Sequence, residues 1–126
     1  MELNWEEFEE GPVEANSKRL HVSINRRGNM FLNRHAIDAM GEPQAVVLLY
    51  DRRRSIIGLK PASSNRHNAY RLKRKNRASG RVLYSSNFCR RFAICPDETL
   101  GFTAAEINKD GILILDLNEV RAVRRP

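Results

Sequence analysis

Gly28-Asn29-Met30-Phe31-Leu32-Asn33 returns 52 residues later as Gly80-Arg81-Val82-Leu83-Tyr84-Ser85. Each copy reads glycine, a polar residue, three large apolar residues, then a side chain able to cap a helix. At the same offset, Ala36, Ile37 and Met40 fall on Phe88, Cys89 and Phe92. Both trios have i, i+1, i+4 spacing, which lies on one face of a helix. Pro43 and Pro96 follow, one residue out of step. Self-similarity at a fixed offset signals an internal repeat.

The flanks complete the unit. Leu20, Val22 and Ile24 alternate with polar residues, the period of a half-buried strand. Asn25-Arg26-Arg27-Gly28 is a turn signal, and residues 30–32 resume as a short strand. Asn33 is suited to cap a helix over 34–40, and Gly41 is suited to end it. Residues 45–50 form an apolar run of strand length. After the polar turn Asp51-Arg52-Arg53-Arg54-Ser55, residues 56–59 return as a second hairpin arm, and Pro61 stops it. In the second half, Asn108-Lys109-Asp110-Gly111 separates apolar residues 102–107 from 112–117, and Asp-Gly between such runs is a strong hairpin signal. One unit has too little apolar surface to fold alone. Two copies bury their strands against each other, with the helices closing the ends. The expected class is mainly β with short helices (α+β), arranged as tandem strand–helix–hairpin repeats in a pseudo-twofold β-barrel. The divisions are an acidic arm (1–18), a first repeat (19–62), a basic linker (63–79), a second repeat (80–118) and a basic tail (119–126). Within the linker only Ala69-Tyr70-Arg71-Leu72 reads as a strand, and the rest reads as mobile.

A chain of 126 residues is one domain's worth, too short for a dinucleotide-binding enzyme with a substrate domain or for a TIM barrel. Hydrophobic residues at 41% and charged residues at 29% argue against wholesale disorder. No apolar run approaches the roughly 18 residues of a membrane span. The acidic start lacks the basic end and apolar stretch of a secretory signal, so the chain reads as cytoplasmic. Two cysteines are too few for a disulfide framework.

The net charge is +7, but its distribution is uneven. Residues 1–14 carry six glutamates and no Lys or Arg, a charge of −6, which leaves +13 on the body. Residues 52–91 hold thirteen basic side chains and no Asp or Glu. Such a block sets up a strong positive potential on whichever face displays it. A polyanion is its natural partner, because neutralised phosphates release counterions. Solubility alone is better served by mixed charge. On this ground Arg52, Arg53 and Arg54 are candidate nucleic-acid contacts. So is the linker group Arg71, Lys73, Arg74, Lys75 and Arg77, where phosphate contact rather than base reading is expected.

The unit resembles the AbrB/SpoVT family of swapped-hairpin transcription regulators. The resemblance rests on Val22-Ser23-Ile24-Asn25-Arg26-Arg27-Gly28-Asn29-Met30-Phe31-Leu32-Asn33, then Ala36-Ile37-Asp38-Ala39-Met40-Gly41, then residues 46–61. It covers about 40 residues well and the second half loosely. Tandem copies in one chain are similar to the MraZ arrangement of that superfamily. Asn33 stands where the family often has proline, and Arg34 and Asp38 reverse the Asp-x-x-x-Arg order of MraZ-type helices. The resemblance implies an AbrB-like barrel, a dimer or higher homo-oligomer, and duplex DNA bound through basic loops. The matching basic positions are Arg26 and Arg27 before the glycine turn and Arg34 at the helix start.

Other constellations are weak. Cys89 and Cys95 with His21, His35 or His67 lack paired metal-ligand spacing, and Cys89 shares the apolar face of Phe88 and Phe92. His35 and Asp38 stand i, i+3 but read as solvent-facing. No Gly-x-Ser-x-Gly elbow or phosphate loop is present. The expectation is a non-enzymatic DNA-binding protein, a transcription regulator with no cofactor, no metal and no membrane association. An adaptor holding an acidic protein on its basic face is the alternative. RNA binding is third, since Tyr70 and Tyr84 are the only tyrosines near the basic block. Trp5 and Phe8, at i, i+3 among glutamates, are compatible with a short docked helix ended by Gly11 and Pro12. They also suit a partner motif. They equally suit a disordered arm, and one further hypothesis lays the acidic arm across the basic face, where it competes with nucleic acid.

Overall fold

Residues 2–9, 19–74 and 79–123 are described in a computed structural model. Strands β1 (Val22–Ile24) and β2 (Met30–Leu32) form the first hairpin. Helix α1 (Arg34–Ala39) follows, then β3 (Ala45–Asp51) and β4 (Ile56–Ala62). The second half holds β5 (Ala69–Arg71), β6 (Arg81–Leu83), α2 (Ser86–Arg91), β7 (Leu100–Phe102), β8 (Glu106–Ile107), β9 (Leu113–Asp116) and β10 (Val120–Ala122). Among the described residues the architecture is mainly β with two short helices, and every ladder is antiparallel.

Local chemistry explains the first unit. Asn33 accepts from the Ala36 amide at 3.0 Å and the His21 amide at 3.2 Å, so one side chain starts α1 and ties it to the chain before β1. Gly41 takes φ +85°, a conformation favourable only to glycine, and turns the chain out of the helix. The β3–β4 hairpin is in register over seven pairs, from Ala45–Ala62 to Asp51–Ile56. Pro61 lies inside β4, opposite Val46, rather than ending the strand. It is tolerated there because the β4–β9 ladder stops at Leu59–Leu113, leaving no second neighbour to receive an amide.

Two five-stranded sheets result, in the orders β10-β7-β1-β2-β6 and β5-β3-β4-β9-β8. Each draws strands from both halves of the chain. One apolar cluster joins them: Val22, Ile24, Met30, Leu32 and Leu83 from one, Val46, Ile57, Leu59, Leu113 and Leu115 from the other. Ala36, Ile37, Phe88 and Cys89 add the buried faces of the helices.

Several expectations are corrected. Neither sheet closes into a barrel. Closure needs the outermost strands to pair, whereas β10 and β6 end one sheet and β5 and β8 end the other. The apolar run 102–107 is not one hairpin arm. Phe102 belongs to β7 in the first sheet and Ile107 to β8 in the second. The residues assigned to a basic tail include β10, which pairs with β7. In the linker, β5 pairs with β3, the Leu72 amide donates to the Gln44 carbonyl at 3.0 Å, and Lys73 exchanges two backbone bonds with Val82. This segment therefore steps from one sheet to the other. Residues 2–9 form neither helix nor strand, with Trp5 86% exposed and Phe8 78% exposed, so no docked helix is present there. No helix among the described residues is long and apolar enough to cross a membrane.

Candidate nucleic-acid interface

The fold sorts the candidate cations into three groups. Arg26 and Arg27 are exposed on the β1–β2 turn. The Asn25 side-chain oxygen accepts from the amides of Arg27 and Asn29, both at 3.0 Å, and Gly28 takes φ +83°. The Gly28 carbonyl then accepts from the Ser85 hydroxyl at 2.6 Å and from the Cys89 thiol at 3.3 Å. A Cβ at Gly28 would lie 2.8 Å from the Cys89 Cβ. The arginine turn is thus seated against the start of α2 by groups that sequence reasoning gave other roles. Ser85 was expected to cap α2 but makes no cap bond; it is fully buried and reaches across 57 positions instead. Cys89 packs in the core as its apolar spacing suggests. Burial pushes its thiol up to about 11, and Cys95 adds to the rise.

The second group surrounds a cleft of about 470 Å³ lined by Arg34, Arg71, Lys73 and Arg81, together with Glu42, Gln44 and Ser64. Arg34 enters from the first turn of α1. It is held by Asp38 at 2.9 Å and Glu42 at 2.6 Å, so Asp38 serves this arginine. Arg71 comes from β5, and Lys73 is fixed by its backbone pair with Val82. Arg81 is opposite Leu32 in the β2–β6 ladder, and that register brings it beside the start of α1. Its guanidinium donates to the carbonyls of Ser79 at 2.9 Å and Gly80 at 3.0 Å. Arg81 was not among the sequence candidates. Its position in the repeated glycine motif was a signal, but its meeting with Arg34 depends on strand register. Arg74 is exposed beside Lys73, while Lys75 and Arg77 lie outside the described residues.

The third group is the β3–β4 hairpin tip, where Arg52, Arg53 and Arg54 are exposed. Asp51 accepts from the amides of Arg53 and Arg54 at 3.0 and 3.1 Å and pairs with the Arg54 guanidinium at 3.1 Å. The Arg54 amide, then its side chain, hold the Asp51 carboxyl below the usual carboxylate range. Arg52 and Arg91 both approach the Phe92 ring, at 5.2 and 5.3 Å from its centroid. Arg91 joins the hairpin arginines through this shared ring. Arg71 pairs with Ala45 at the opposite end of β3 from Asp51, six residues away. That separates the cleft from the hairpin tip by about 20 Å of strand. The structure therefore unites Arg34 with Arg71 and Lys73 but not with the hairpin arginines.

The chain matches no protein-family model, no curated protein and no solved structure.

Proposed function

We propose that this is a non-enzymatic DNA-binding protein, a transcription regulator of AbrB-like tandem architecture that holds duplex phosphates. The observation that carries this reading is the convergence of Arg34, Arg71, Lys73 and Arg81 on one cleft. Four cations drawn from α1, the sheet-crossing segment and β6 outnumber two carboxylates, the lining Glu42 and the Asp38 that also pairs with Arg34. The Arg26–Arg27 turn supplies a further exposed pair. For the architecture, the support is a ladder between equivalent strands. β2 and β6 pair antiparallel with Phe31 opposite Val82, and the helices after them start 52 positions apart, at Arg34 and Ser86. An antiparallel pair of equivalent strands is the arrangement a local twofold axis produces.

The test is binding of random duplex DNA against salt. The expected log–log slope is several units, at roughly −0.9 per phosphate contact. Arg71→Ala with Lys73→Ala should weaken binding to all sequences alike and flatten the slope by about one unit per lost contact. Salt-insensitive affinity would overturn the mechanism. A second reading, an adaptor for an acidic protein, draws on Arg34, which already holds two carboxylates. It predicts a specific protein partner whose binding survives nuclease and high salt.

A further inference from the structure

Beside the Arg34 cleft is a smaller one of about 320 Å³, lined by Ala69, Tyr70, Arg71, Lys73 and Tyr84. We infer that it is a stacking site for one unpaired nucleotide of a nucleic-acid strand. This rests on the phosphate-binding reading above and names a second feature of the ligand.

A single exposed aromatic ring is ordinary. Tyr84 differs in its surroundings. Tyr84 is 54% exposed just past the end of β6, and the Lys73 ammonium lies 5.7 Å from its ring centroid. The Lys73 backbone is held, because its amide donates to the Val82 carbonyl at 2.9 Å and its carbonyl accepts from the Val82 amide at 2.7 Å, while its flexible side chain can swing the ammonium from the ring face to a phosphate. The facing wall is held as well. Tyr70 sits in the β3–β5 ladder, and its hydroxyl donates to the Asn87 side chain at 2.9 Å. No carboxylate is among the lining residues, in contrast to the larger cleft with its Glu42.

Arg71 and Lys73 line both clefts. A phosphate held by this shared wall leaves its own base within reach of Tyr84, while the neighbouring phosphates run on toward Arg34 and Arg81. A cationic track beside an aromatic ring is the combination that binds unpaired strands, because every base offers a π-face. Stacking of one base is expected to tighten binding by about fivefold to a hundredfold.

The experiment compares the full chain on a blunt duplex and on the same duplex with a short single-stranded thymidine tail. The tail should tighten wild-type binding at least fivefold. Tyr84→Ala should remove that gain, while Tyr84→Phe and Tyr84→Trp, which keep a ring beside Lys73, should retain it, each gain being read against the same variant's blunt-duplex affinity. A uridine ribonucleotide tail distinguishes the source of the strand. A larger gain on that tail assigns the site to RNA and still supports stacking at Tyr84. Equal affinity for blunt and tailed duplex, or a gain that persists in Tyr84→Ala, overturns the inference. The blunt duplex reports the phosphate reading separately, so loss of the tail effect alone leaves that reading standing. Absence of binding to either duplex or to the ribonucleotide tail overturns both.

Discussion

Gly28 concentrates two demands on one backbone position. Its φ of +83° disfavours any side chain, and the space a Cβ needs is taken by Cys89 at 2.8 Å. Gly41 shares the first demand at φ +85° but has no atom within 4 Å of its Cβ site. Gly41→Ala should therefore cost only the left-handed strain, roughly 1–2 kcal/mol. Gly28→Ala should cost more, since α2 must shift as well. Urea midpoints of the two variants check this, and equal shifts would refute the packing account. Cys89 and Cys95 provide a chemical test of the same junction. At pH 8 a thiol reagent should modify exposed Cys95 quickly and leave Cys89 untouched until the chain unfolds, because the Cys89 thiol, raised to about 11, remains protonated and buried. The raised value also sets a pH trend. Below the ordinary thiol range both folded and unfolded Cys89 are protonated and its contribution is intact. As pH rises from 9 toward about 11 the unfolded state loses its proton first, so stability falls.

Elements show how local signals combine with pairing. Asn33 was readable as a cap from its place before an apolar helical face. Its additional bonds to the His21 amide and the Arg19 carbonyl, 12 and 14 positions away, were not. Asn33→Ala should consequently exceed an ordinary cap deletion of about 1 kcal/mol, read as a loss of denaturant stability. The segment at 69–73 is a sharper case. Its serine-, asparagine- and arginine-rich surroundings contain few apolar residues, so periodicity marked one strand and nothing more. Ladder bonds on both sides make it the crossing between sheets. Hydrogen exchange should find the amides of Lys73 and Val82 protected together. Free exchange at both would show that the crossing opens locally. Phe102 and Ile107 teach the complementary lesson: one apolar run can serve two sheets when the chain turns between them.

Across the whole molecule, charge separation is the organising feature. An arm of −6 precedes a body of +13, and Trp5 and Phe8 stand out from the body rather than packing on it. If the arm competes with phosphate, deletion of residues 1–14 should tighten duplex binding at low salt. The difference should shrink as salt screens charge beyond the Debye length, about 8 Å at physiological ionic strength. Equal affinities of the full and shortened chains at low salt would end that idea. The single tryptophan, Trp5, gives an internal reporter, and its emission should shift only if the arm changes environment on binding.

Unlike β7, β8 and β10, strands β1 to β6 and β9, both short helices, the turn glycines, the Asp51 and Asn108 turns and the repeat offset were legible in the linear order of residues. Each depends on side chains within a few positions of one another, where period and turn chemistry act directly. The meeting of Arg34 with Arg81 and Lys73, the seating of the Arg26–Arg27 turn on Ser85, and the open edges of both sheets were set by folding in three dimensions. These depend on which strands pair and in what register, and hydrophobic alternation specifies that a strand has a buried face without naming the neighbour that covers it.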